Sequence, residues 1–555
     1  MKTKLLALII VLALIMSIFS GCGEKKEEAI TLTCYSQTAN YSGEATGWFA
    51  QELLQRFNVK LIIVPEADGV YDTRMEAGNL GDIVIWGNDG DEYLGAVNAG
   101  LLFDWNEDNL LDEYGAYIKE NMPYALEKNK EISGGTLYGF GHSVATSSED
   151  HDSFFYTWDV RWDLYKELGY PEVKDLDDFI SLMEQMKEIC PTDDAGNPTY
   201  AVSLWPDWDG TMVMYAKAMA TAYYGYDELA MGLYDVETGE LHDTLEPDGP
   251  YIEMLKFFNT LYRKGLLDPD SMTQTWDDVD AKVRNGGTFF SIFNFAGYMP
   301  YNSDEHLAEN KMMCTLTPDN ATPIVYGMNV YGSSRIWSIG AKTQYPELCM
   351  EIINWLATPE GRMISEYGPQ YVCWDYDENG YIYATELGKL MHNDKTIEFP
   401  EDSGYYGQYK DGQNQIANIT WALNATNPDS NGERYDWETW KSNQTDPVNE
   451  TEADWRAYTG FDNLQDYLDS KPYKLAVATP YSESNKSDEL KVVWEQVIKA
   501  IVDYSWKAIY AEDDKEFNAI IAELTHVAKS YGYDQCVEWS ENEAAIRKAL
   551  EDEVR

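Results

Sequence analysis

The sequence predicts an α/β protein with two domains, and three observations support this class. The chain has 555 residues, which is more than one hydrophobic core usually serves. Short apolar runs rich in Val and Ile alternate with amphipathic helical patterns, as is typical of a largely parallel sheet covered by helices. The alternation starts afresh near residue 154, so a second unit of the same kind is expected there.

The first unit is expected to open with a strand, ITLTCYS, at residues 30–36. In the next pattern, GWFAQELLQRF, the side chains of Phe49, Leu53 and Phe57 share one face, which predicts an amphipathic helix. The remaining predicted elements are strands at 61–64 and 82–89, a helix and turn at 92–105, and a glycine-rich hairpin at 134–143.

The second unit is expected to contain longer helices. The segment 251–270 places Met254 and Phe258 on one face, and Gly265 is expected to end that helix. The strand predicted at 288–297 is expected to return toward the first unit.

Residues 395–460 differ in character from the segments around them. They are rich in Asn, Asp, Gly, Tyr and Trp, with weak periodicity. Because large aromatic residues are rare in disordered chains, we expect an ordered, loop-rich insertion here. Helical patterns resume over 488–555.

The N-terminal segment carries the pattern of an exported protein. A basic start and an apolar run over 5–19, shorter than the roughly twenty residues of a membrane-spanning helix, predict a signal peptide over 1–21. Two small residues and Cys22 follow, which resembles the lipobox of bacterial lipoproteins, although Phe19 stands where Leu is commonest. The resemblance implies that Cys22 carries lipid and that residues 22–29 tether the protein to a membrane. An ordinary signal peptide with an incidental Cys is the alternative.

The charge and the aromatic content narrow the range of partners. The chain has 96 acidic and 41 basic residues, a net charge of −55, which disfavours nucleic acid because phosphate binding needs a basic face. The acids are spread along the chain, as on a solvated surface. The 18 Trp and 41 Tyr residues favour a ligand with flat apolar faces and polar rims, such as a sugar.

The cysteines predict neither a disulfide framework nor a zinc site. None of them forms a CxxC pair, and their spacing is irregular. Buried free thiols are expected, with one or two disulfide bridges as the alternative outside the cell. The six that follow Cys22 are Cys34, Cys190, Cys314, Cys349, Cys373 and Cys536.

Several segments, in order along the chain, resemble the extracellular solute-binding proteins (family 1 type) of ABC importers. The nearest group is the large lipoprotein oligosaccharide receptors of Gram-positive bacteria, and the resemblance covers roughly residues 30–380. Each motif alone is weak, but the ordered set is specific. The segments are TRMEAGNLGDIVIWG (73–87), AVNAGLLFDW (96–105), GGTLYGFGHS (134–143), FYTWDVRWDLYKELGYPEVKDLDDF (155–179), FFNTLYRKGLLDPDSMTQTWDDVDAKVRNGGTFFSIF (257–293) and PELCMEIINWLATPEGRMISEYG (346–368).

The resemblance implies a two-lobed, type II periplasmic-binding-protein-like fold with a ligand cleft between the lobes. We expect the first lobe to comprise residues 30–153 and 296–350. The second lobe is expected to comprise 154–295 and 351–555, including the insertion at 395–460.

The implied function is that of a binding protein on the extracellular face of the cell membrane. It would capture an oligosaccharide by closing its cleft and deliver it to the membrane subunits of an ABC permease, as a monomer and without a required cofactor. A receptor for a peptide or another non-sugar solute, or a sensory binding protein, is the alternative.

Open α/β sheets bind ligands beyond the carboxyl ends of their strands, and this rule selects candidate ligand-binding residues. The cluster WPDWDG at 205–210 is the strongest, because acids between aromatic residues are poor core material. For any single Trp, packing in the core is the competing interpretation. The candidates are Tyr35, Trp86, Asn88, Asp89, Trp205, Asp207, Trp208, Asp209, Trp276, Asn294, Phe295, Trp337 and Trp374.

One segment matches a calcium-binding loop. DYDENGYIYATE, residues 375–386, has the pattern D-x-D-x-N-G-x5-E, in which the ligands would be Asp375, Asp377, Asn379, Tyr381 and Glu386. Because the flanking patterns are strands, an ordinary hairpin turn is the favoured interpretation and Ca2+ the alternative.

An enzyme is the rival class of function. Aromatic clefts with paired acids also hydrolyse glycosides, and Asp207 and Asp209 form such a pair in the sequence. In a chain this acidic, however, pairs arise by chance. No nucleophile elbow, zinc-protease, dinucleotide-binding or P-loop motif is present, so a non-enzymatic function is expected.

Overall fold

The computed structural model describes residues 28–39, 41–67, 69–412, 416 and 418–555, which fold around two large hydrophobic cores. Each core has its own sheet, so the predicted two-lobed α/β architecture is confirmed. The predicted signal peptide and the lipidation site at Cys22 lie outside the described residues.

Lobe 1 begins with strands that alternate with helices. A short 3-10 helix also lies at Glu107–Asn109. The elements are β1 (Ile30–Ser36), β2 (Gly43–Glu44), α1 (Gly47–Phe57), β3 (Val59–Pro65), α2 (Val70–Ala77), β4 (Ile83–Trp86), α3 (Asp91–Asn98), α4 (Leu110–Tyr114), α5 (Ala116–Asn121), α6 (Pro123–Ile132) and β5 (Gly139–Gly141).

Six strands form the sheet of lobe 1, in the order β2-β3-β1-β4-β13-β5, where β13 is Ile336–Ile339. Strand β1 pairs in parallel with β3 and β4, whereas β13 returns from a later part of the chain and runs antiparallel to β4 and β5. Strand β5 approaches β13 so closely that a Cβ at Gly139 would lie 2.2 Å from the carbonyl oxygen of Trp337. Only glycine fits at that position.

The two faces of this sheet bury alternate residues of the same strands. All four residues of β4 are buried, as expected of a strand covered by helices on both sides. Val84 and Trp86 belong to one core, and Ile83 and Ile85 belong to the core on the opposite face. This two-residue period explains why the strand appears in the sequence as an unbroken apolar run.

Lobe 2 follows after the first crossing between the lobes. A 3-10 helix at Asn294–Ala296 follows β10. The elements are β6 (Tyr156–Arg161), α7 (Trp162–Glu167), α8 (Leu176–Ile189), α9 (Met214–Tyr224), β7 (Tyr226–Leu229), β8 (Gly232–Asp235), β9 (Leu241–Asp243), α10 (Pro250–Arg263), α11 (Trp276–Arg284), β10 (Phe290–Phe293), α12 (Tyr298–Tyr301), α13 (Asp304–Ala308), β11 (Met313–Thr315) and β12 (Ile324–Tyr326).

The central strand of the lobe 2 sheet is β6, which pairs antiparallel with β10 on one side and β11 on the other. The segment 200–204 extends the sheet through parallel bridges from Tyr200 to Thr288 and from Val202 to Leu267. The segment 200–204 and β10 therefore end at the same edge of the sheet.

The chain then returns to lobe 1 and finally to lobe 2. Two short 3-10 helices lie at Trp437–Thr439 and Lys441–Asn443, and a third lies at Glu401–Ser403. In lobe 1 the further elements are β13, α14 (Pro346–Ala357), α15 (Pro359–Tyr367), β14 (Trp374–Tyr376), β15 (Ile382–Ala384), α16 (Glu386–Asn393) and α17 (Tyr409–Gly412). In lobe 2 they are α18 (Glu450–Thr459), α19 (Leu464–Asp469), β16 (Lys474–Ala476), α20 (Asp488–Ile509), α21 (Asp514–Tyr531) and α22 (Tyr533–Val554).

The lobe boundaries differ from those predicted. Strand β10 does not return to lobe 1 but pairs with β6, so residues 296–325 belong to the core of lobe 2. Residues 349–440 belong to the core of lobe 1, because α14 packs beneath its sheet. The chain consequently crosses between lobes three times, near residues 146–153, 326–328 and 441–449.

The aromatic residues of the insertion explain its order. Trp421 and Trp440 are buried in the core of lobe 1, and the indole N–H of Trp421 donates to the carbonyl oxygen of Ala357 at 2.6 Å. The predicted insertion ends earlier than expected, because residues 450–459 form helix α18, whose Trp455 is buried in lobe 2.

The cysteines in the described part of the chain are all free thiols. Five are buried, and Cys190 is partly exposed. Burial raises the pKa of the thiols of Cys34 and Cys349 to about 12, so both are protonated and unreactive at neutral pH. No helix in the described ranges is both long and apolar enough to cross a bilayer.

Candidate functional site

Aromatic side chains gather at the carboxyl-terminal edge of the lobe 2 sheet. The segment 200–204 ends at Trp205, and β10 ends at the 3-10 turn that carries Phe295. Trp276 is the first residue of α11, at the same edge. We call this group the aromatic platform; its members are Phe155, Trp205, Trp208, Trp276, Phe293 and Phe295.

The outer rings of the platform are in contact with solvent. The ring of Trp208 is 48% exposed and stacks on that of Trp276, with centroids 5.4 Å apart and planes 29° apart. Phe295 lies 5.7 Å from Trp208, and Phe155 is 41% exposed. Trp205 supports them from below, buried, with its centroid 4.9 Å from that of Trp276. A flat apolar ligand face can therefore stack on the outer rings without any rearrangement of the inner one.

The two acids that flank Trp208 position the platform. The Asp207 carboxylate accepts from the backbone N–H of Trp276 at 3.0 Å and leaves its other oxygen in solvent. The Asp209 carboxylate accepts from the backbone N–H of Met214 at 2.8 Å and from the indole N–H of Trp506 at 2.7 Å. Burial raises the pKa of Asp209. Asp209 therefore acts on the protein itself, whereas Asp207 is exposed beside the platform and stays a prediction for ligand contact.

Among the predicted ligand-binding residues, the lobe 2 group is brought together. Trp205, Trp208, Trp276 and Phe295 are all part of the platform. Asn294, also partly exposed at its edge, uses its side-chain oxygen to accept from the backbone N–H of Phe295 at 2.7 Å.

The predicted aromatic ligands of lobe 1 are corrected by the structure. Trp337 and Trp374 are buried in the core, and the indole N–H of Trp374 donates to the carbonyl oxygen of Gly368 at 2.8 Å. Tyr35 and Trp86 are also buried, where they pack edge-on at 6.3 Å. They fill the sheet faces because each lies within a strand rather than after it.

The polar residues that follow β4 remain accessible. Asn88 is exposed, and its side-chain oxygen accepts from the backbone N–H of Gly90 at 2.8 Å. Asp89 is partly exposed beside it. These two positions stay predictions for ligand contact.

A polar cavity of about 600 Å3 separates residues 426–444 of lobe 1 from residues 462–469 of lobe 2. Ser153, from the first crossing, and Tyr381 complete its lining. We call it the interlobe cavity. Its volume falls within the range of about 300–1,000 Å3 that is typical of small-molecule sites.

The interlobe cavity begins next to the aromatic platform. Ser153 lines the cavity and Phe155 belongs to the platform, so the two Cα atoms are at most about 7 Å apart along the chain. Burial and the neighbouring carboxylates Asp159 and Glu438 raise the pKa of the Tyr298 phenol. Aromatic and polar surfaces thus meet at one place between the lobes.

Ion pairs connect the lobes at the same place. Asp469 of α19 lies 3.2 Å from the imidazole Nε2 of His151, and its other oxygen lies 3.8 Å from the guanidinium of Arg434. His151 is on the first crossing, and Arg434 is on the lobe 1 side of the cavity. Opening the cleft would separate Arg434 from Asp469.

Two members of the platform, Phe155 and Phe293, were not among the predicted site residues. Their signal in the sequence is faint, because each stands in an apolar pair or run that predicts a core strand. Phe155 directly precedes β6, and Phe293 at the end of β10 pairs with Tyr156, the next residue of the chain. This pairing brings the rings of Phe155 and Phe293 to within 5.5 Å at the edge of the sheet.

The segment that matched a calcium loop is a β-hairpin. Strands β14 and β15 pair antiparallel, and Gly380 turns the chain with φ of +81°. Asp377 accepts from the backbone N–H groups of Asn379 at 2.8 Å and Tyr381 at 2.9 Å. The Glu386 side chain is 94% exposed at the start of α16. In the ranges that the structure describes, no three or more His, Cys, Asp or Glu side chains are placed to hold a metal ion.

Comparisons with known proteins show similarity to lipoproteins and solute-binding proteins. No protein-family model matches the chain. It is 24% identical over 238 residues to Lipoprotein LipO of Bacillus subtilis (strain 168). The match covers 41% of this chain and 43% of LipO, so it spans less than half of that relative.

Three solved structures are similar over nearly the whole chain. An HMO-binding, ABC-transporter-associated solute-binding protein of Bifidobacterium longum infantis is 14% identical, with a TM-score of 0.48. The match covers 94% of this chain and 99% of that protein. The N-glycan transport solute-binding protein of Streptococcus pneumoniae is 15% identical, with a TM-score of 0.45, and the match covers 93% of this chain and 99% of that protein. A kestose complex of the S. pneumoniae ABC-transporter substrate-binding protein FusA is 16% identical, with a TM-score of 0.41, and the match covers 94% of this chain and 99% of that protein.

Proposed function

We propose that this protein is the extracellular substrate-binding protein of an ABC importer, and that it captures an oligosaccharide between its lobes. The observation that carries the proposal is the exposed Trp208 stacked on the partly buried Trp276 at the sheet edge, beside the interlobe cavity. Solute-binding proteins for HMO and N-glycans are among the similar structures, which is consistent with this ligand class.

Capture combines two kinds of contact. The exposed rings cover the C–H face of a sugar, and the amide, hydroxyl and carboxylate groups of the cavity bind its hydroxyls. Closure of the lobes about the three crossings then removes the ligand from water. We infer an affinity near the micromolar range, about −8 kcal/mol, which permits release to a permease.

The loop-rich insertion serves the same site in this proposal. Residues 426–444 form one wall of the interlobe cavity, so the segment 395–460 shapes a long cleft suited to a large glycan. Deleting residues 428–432 of the wall, while retaining the buried anchors Trp421 and Trp440, should weaken glycan binding. Undiminished affinity in that variant would contradict this role.

The proposal extends to the location and partners of the protein. Lipidation at Cys22 would hold it on the extracellular face of the cell membrane, as a monomer that hands its ligand to the permease subunits. The similar proteins are binding proteins rather than enzymes, and we propose no catalytic activity and no required cofactor.

Thermal unfolding of residues 23–555 with a panel of neutral plant and host oligosaccharides tests the proposal. A ligand at a hundred times its dissociation constant adds about 2.7 kcal/mol to the free energy of unfolding, which is a visible shift in Tm. We expect a shift with one glycan series, which grows with chain length until the cleft is filled.

A Tm shift with peptides or other solutes, and with no glycan, would contradict the proposal. It would favour the alternative of a receptor for a non-sugar solute or a sensory binding protein. Hydrolysis of the glycan during the measurement, followed by chromatography, would instead reveal an enzyme.

A further inference from the structure

The interlobe cavity is strongly acidic. Six of its lining side chains are carboxylates and two are cationic, a difference of four negative charges. The balance matters because a closed cleft excludes water, and electrostatic interactions strengthen where water is excluded.

Two of the six carboxylates bind more distant segments of the protein, whereas Asp436 and Asp466 accept local hydrogen bonds, from the Glu438 backbone N–H at 3.1 Å and the Asn463 side-chain amide at 2.9 Å. Glu433 is buried and accepts from the backbone N–H of Lys441 at 2.8 Å. Asp469 pairs with His151 and Arg434 across the lobes. These two acids support the walls of the cavity.

The other four carboxylates have no cationic partner. They are Asp436 and Glu438 on the lobe 1 side and Asp462 and Asp466 on the lobe 2 side. None of the ion pairs within the described ranges includes any of them. Closure of the cleft brings these like charges toward each other and toward a bound ligand.

The two cationic side chains of the cavity offset only part of its negative charge. The ammonium of Lys441 lies 4.6 Å from the centroid of the Tyr381 ring. One terminal nitrogen of the Arg434 guanidinium lies 3.8 Å from Asp469, and the other is buried without a hydrogen-bond partner among the described residues, so one cation facing the ligand stands against several carboxylates. A ligand carboxylate would therefore lose its hydration in the presence of more negative than positive charge.

We propose that the interlobe cavity makes the capture site selective by charge: it accepts neutral or amine-bearing sugar rings and rejects rings that carry carboxylate or sulfate. This inference rests on the proposed function, because it concerns the ligand of the same site. It assigns the selectivity to Asp436, Glu438, Asp462 and Asp466 rather than to the overall charge of the chain.

The test compares matched ligands by calorimetry. Cellotriose, mannotriose and galactotriose are each titrated beside their 6-carboxyl and 2-amino forms, at about 20 mM and at about 500 mM NaCl. We expect the 6-carboxyl form of the bound sugar to bind at least about tenfold more weakly at low salt. The difference should shrink at high salt, and the 2-amino form should bind at least as tightly as the neutral sugar.

Variants separate the cavity from the overall charge. At low salt, the double variant D436N/E438Q should narrow the difference in affinity between the neutral sugar and its 6-carboxyl form. The matched control E489Q/E495Q removes two exposed carboxylates from α20, outside the cavity, and should leave that difference in affinity unchanged. Circular dichroism checks that each variant folds. The salt dependence is measured on the wild-type protein, so that part of the test stands even if a variant fails to fold.

Equal or tighter binding of the 6-carboxyl form would overturn the inference while leaving the proposed function intact. The inference would also fail if D436N/E438Q and E489Q/E495Q, which remove the same number of charges, narrowed the difference in affinity equally, because the selectivity would then come from overall charge. If none of the trioses or of the larger glycans in the thermal panel bound, the proposed function itself would fail.

Discussion

Asp159 is an unpaired carboxyl in the interior of lobe 2, beneath the helix that follows the aromatic platform. It is fully buried in the central strand β6. One oxygen accepts from the backbone N–H of Tyr298 at 2.9 Å, and the other lies 3.4 Å from the hydroxyl of Thr315. Burial outweighs these hydrogen bonds and raises the pKa of Asp159 from 3.8 to about 7.

The raised pKa makes the stability of lobe 2 depend on pH. Between pH 3.8 and about 7 the unfolded chain has lost the Asp159 proton and the folded protein keeps it, so stability falls as pH rises. The loss is about 1.4 kcal/mol per pH unit and reaches about 4 kcal/mol above pH 7, where it levels off. Asp159→Asn removes this penalty, because its amide can accept from Tyr298 and donate to Thr315.

Urea unfolding at pH 5, 6, 7 and 8, followed by near-ultraviolet circular dichroism, measures the effect. We expect the difference in unfolding free energy between Asp159→Asn and wild type to grow by about 2.5 kcal/mol from pH 5 to pH 8. Asp446→Asn, at an exposed position, is the control and should show no such growth. A difference for Asp159→Asn that stays constant with pH would refute the argument, since Asp159 would then be ionised throughout.

Three further predictions concern the platform and the hairpin. Trp208→Ala should weaken glycan binding about thirtyfold, because covering the exposed half of the ring, about 100 Å2, contributes about 2 kcal/mol. Calorimetry measures the affinity, with Tyr531→Ala as the control at an exposed aromatic position. Equal glycan affinity of the Trp208→Ala and Tyr531→Ala variants would exclude stacking on Trp208. Asp209→Ala should lower the free energy of unfolding by about 2 kcal/mol, because the indole N–H of Trp506 loses its acceptor. Urea unfolding at constant pH measures this free energy. An unchanged unfolding midpoint would contradict the positioning role of Asp209. Millimolar Ca2+ should leave the thermal midpoint unchanged, because Asp377 is occupied by the turn; a shift that Asp377→Asn abolishes would restore the calcium loop.

Local signals in the sequence predicted much of the fold correctly. The shared face of Phe49, Leu53 and Phe57 predicts a helix, and the structure has α1 at Gly47–Phe57. Helix α10 ends at Arg263, and Gly265 follows with φ of +68°, as expected for a glycine after a helix. These features depend on a few neighbouring residues, so one sequence is enough to predict them.

The lobe boundaries and the lobe 1 ligands depend on contacts that local patterns do not encode. Strand β10 could have joined either sheet, and its pairing with β6 involves residues more than one hundred positions apart. Trp86 and Trp337 pack on opposite faces of the same sheet. In the pairing of β13 with β4, Trp337 lies opposite Ile85 and not opposite Trp86, so the two indoles point to different faces. Near the end of a strand, a shift of one residue decides whether a Trp faces a core or a cleft.

The first crossing between the lobes explains why the platform and the cavity act together. Within a few residues it contains Asp150, which accepts from the Thr426 hydroxyl at 2.8 Å, His151, which pairs with Asp469, Ser153 in the cavity and Phe155 in the platform. A ligand that rests on Phe155 therefore lies on the same short segment that connects the lobes. In the proposed function, closure moves the lobes about this segment, so contact of a ligand with Phe155 and the contacts of Asp469 with His151 and Arg434 act on the same short piece of chain. Ligand contact with the platform would then shift the balance between open and closed positions of the lobes.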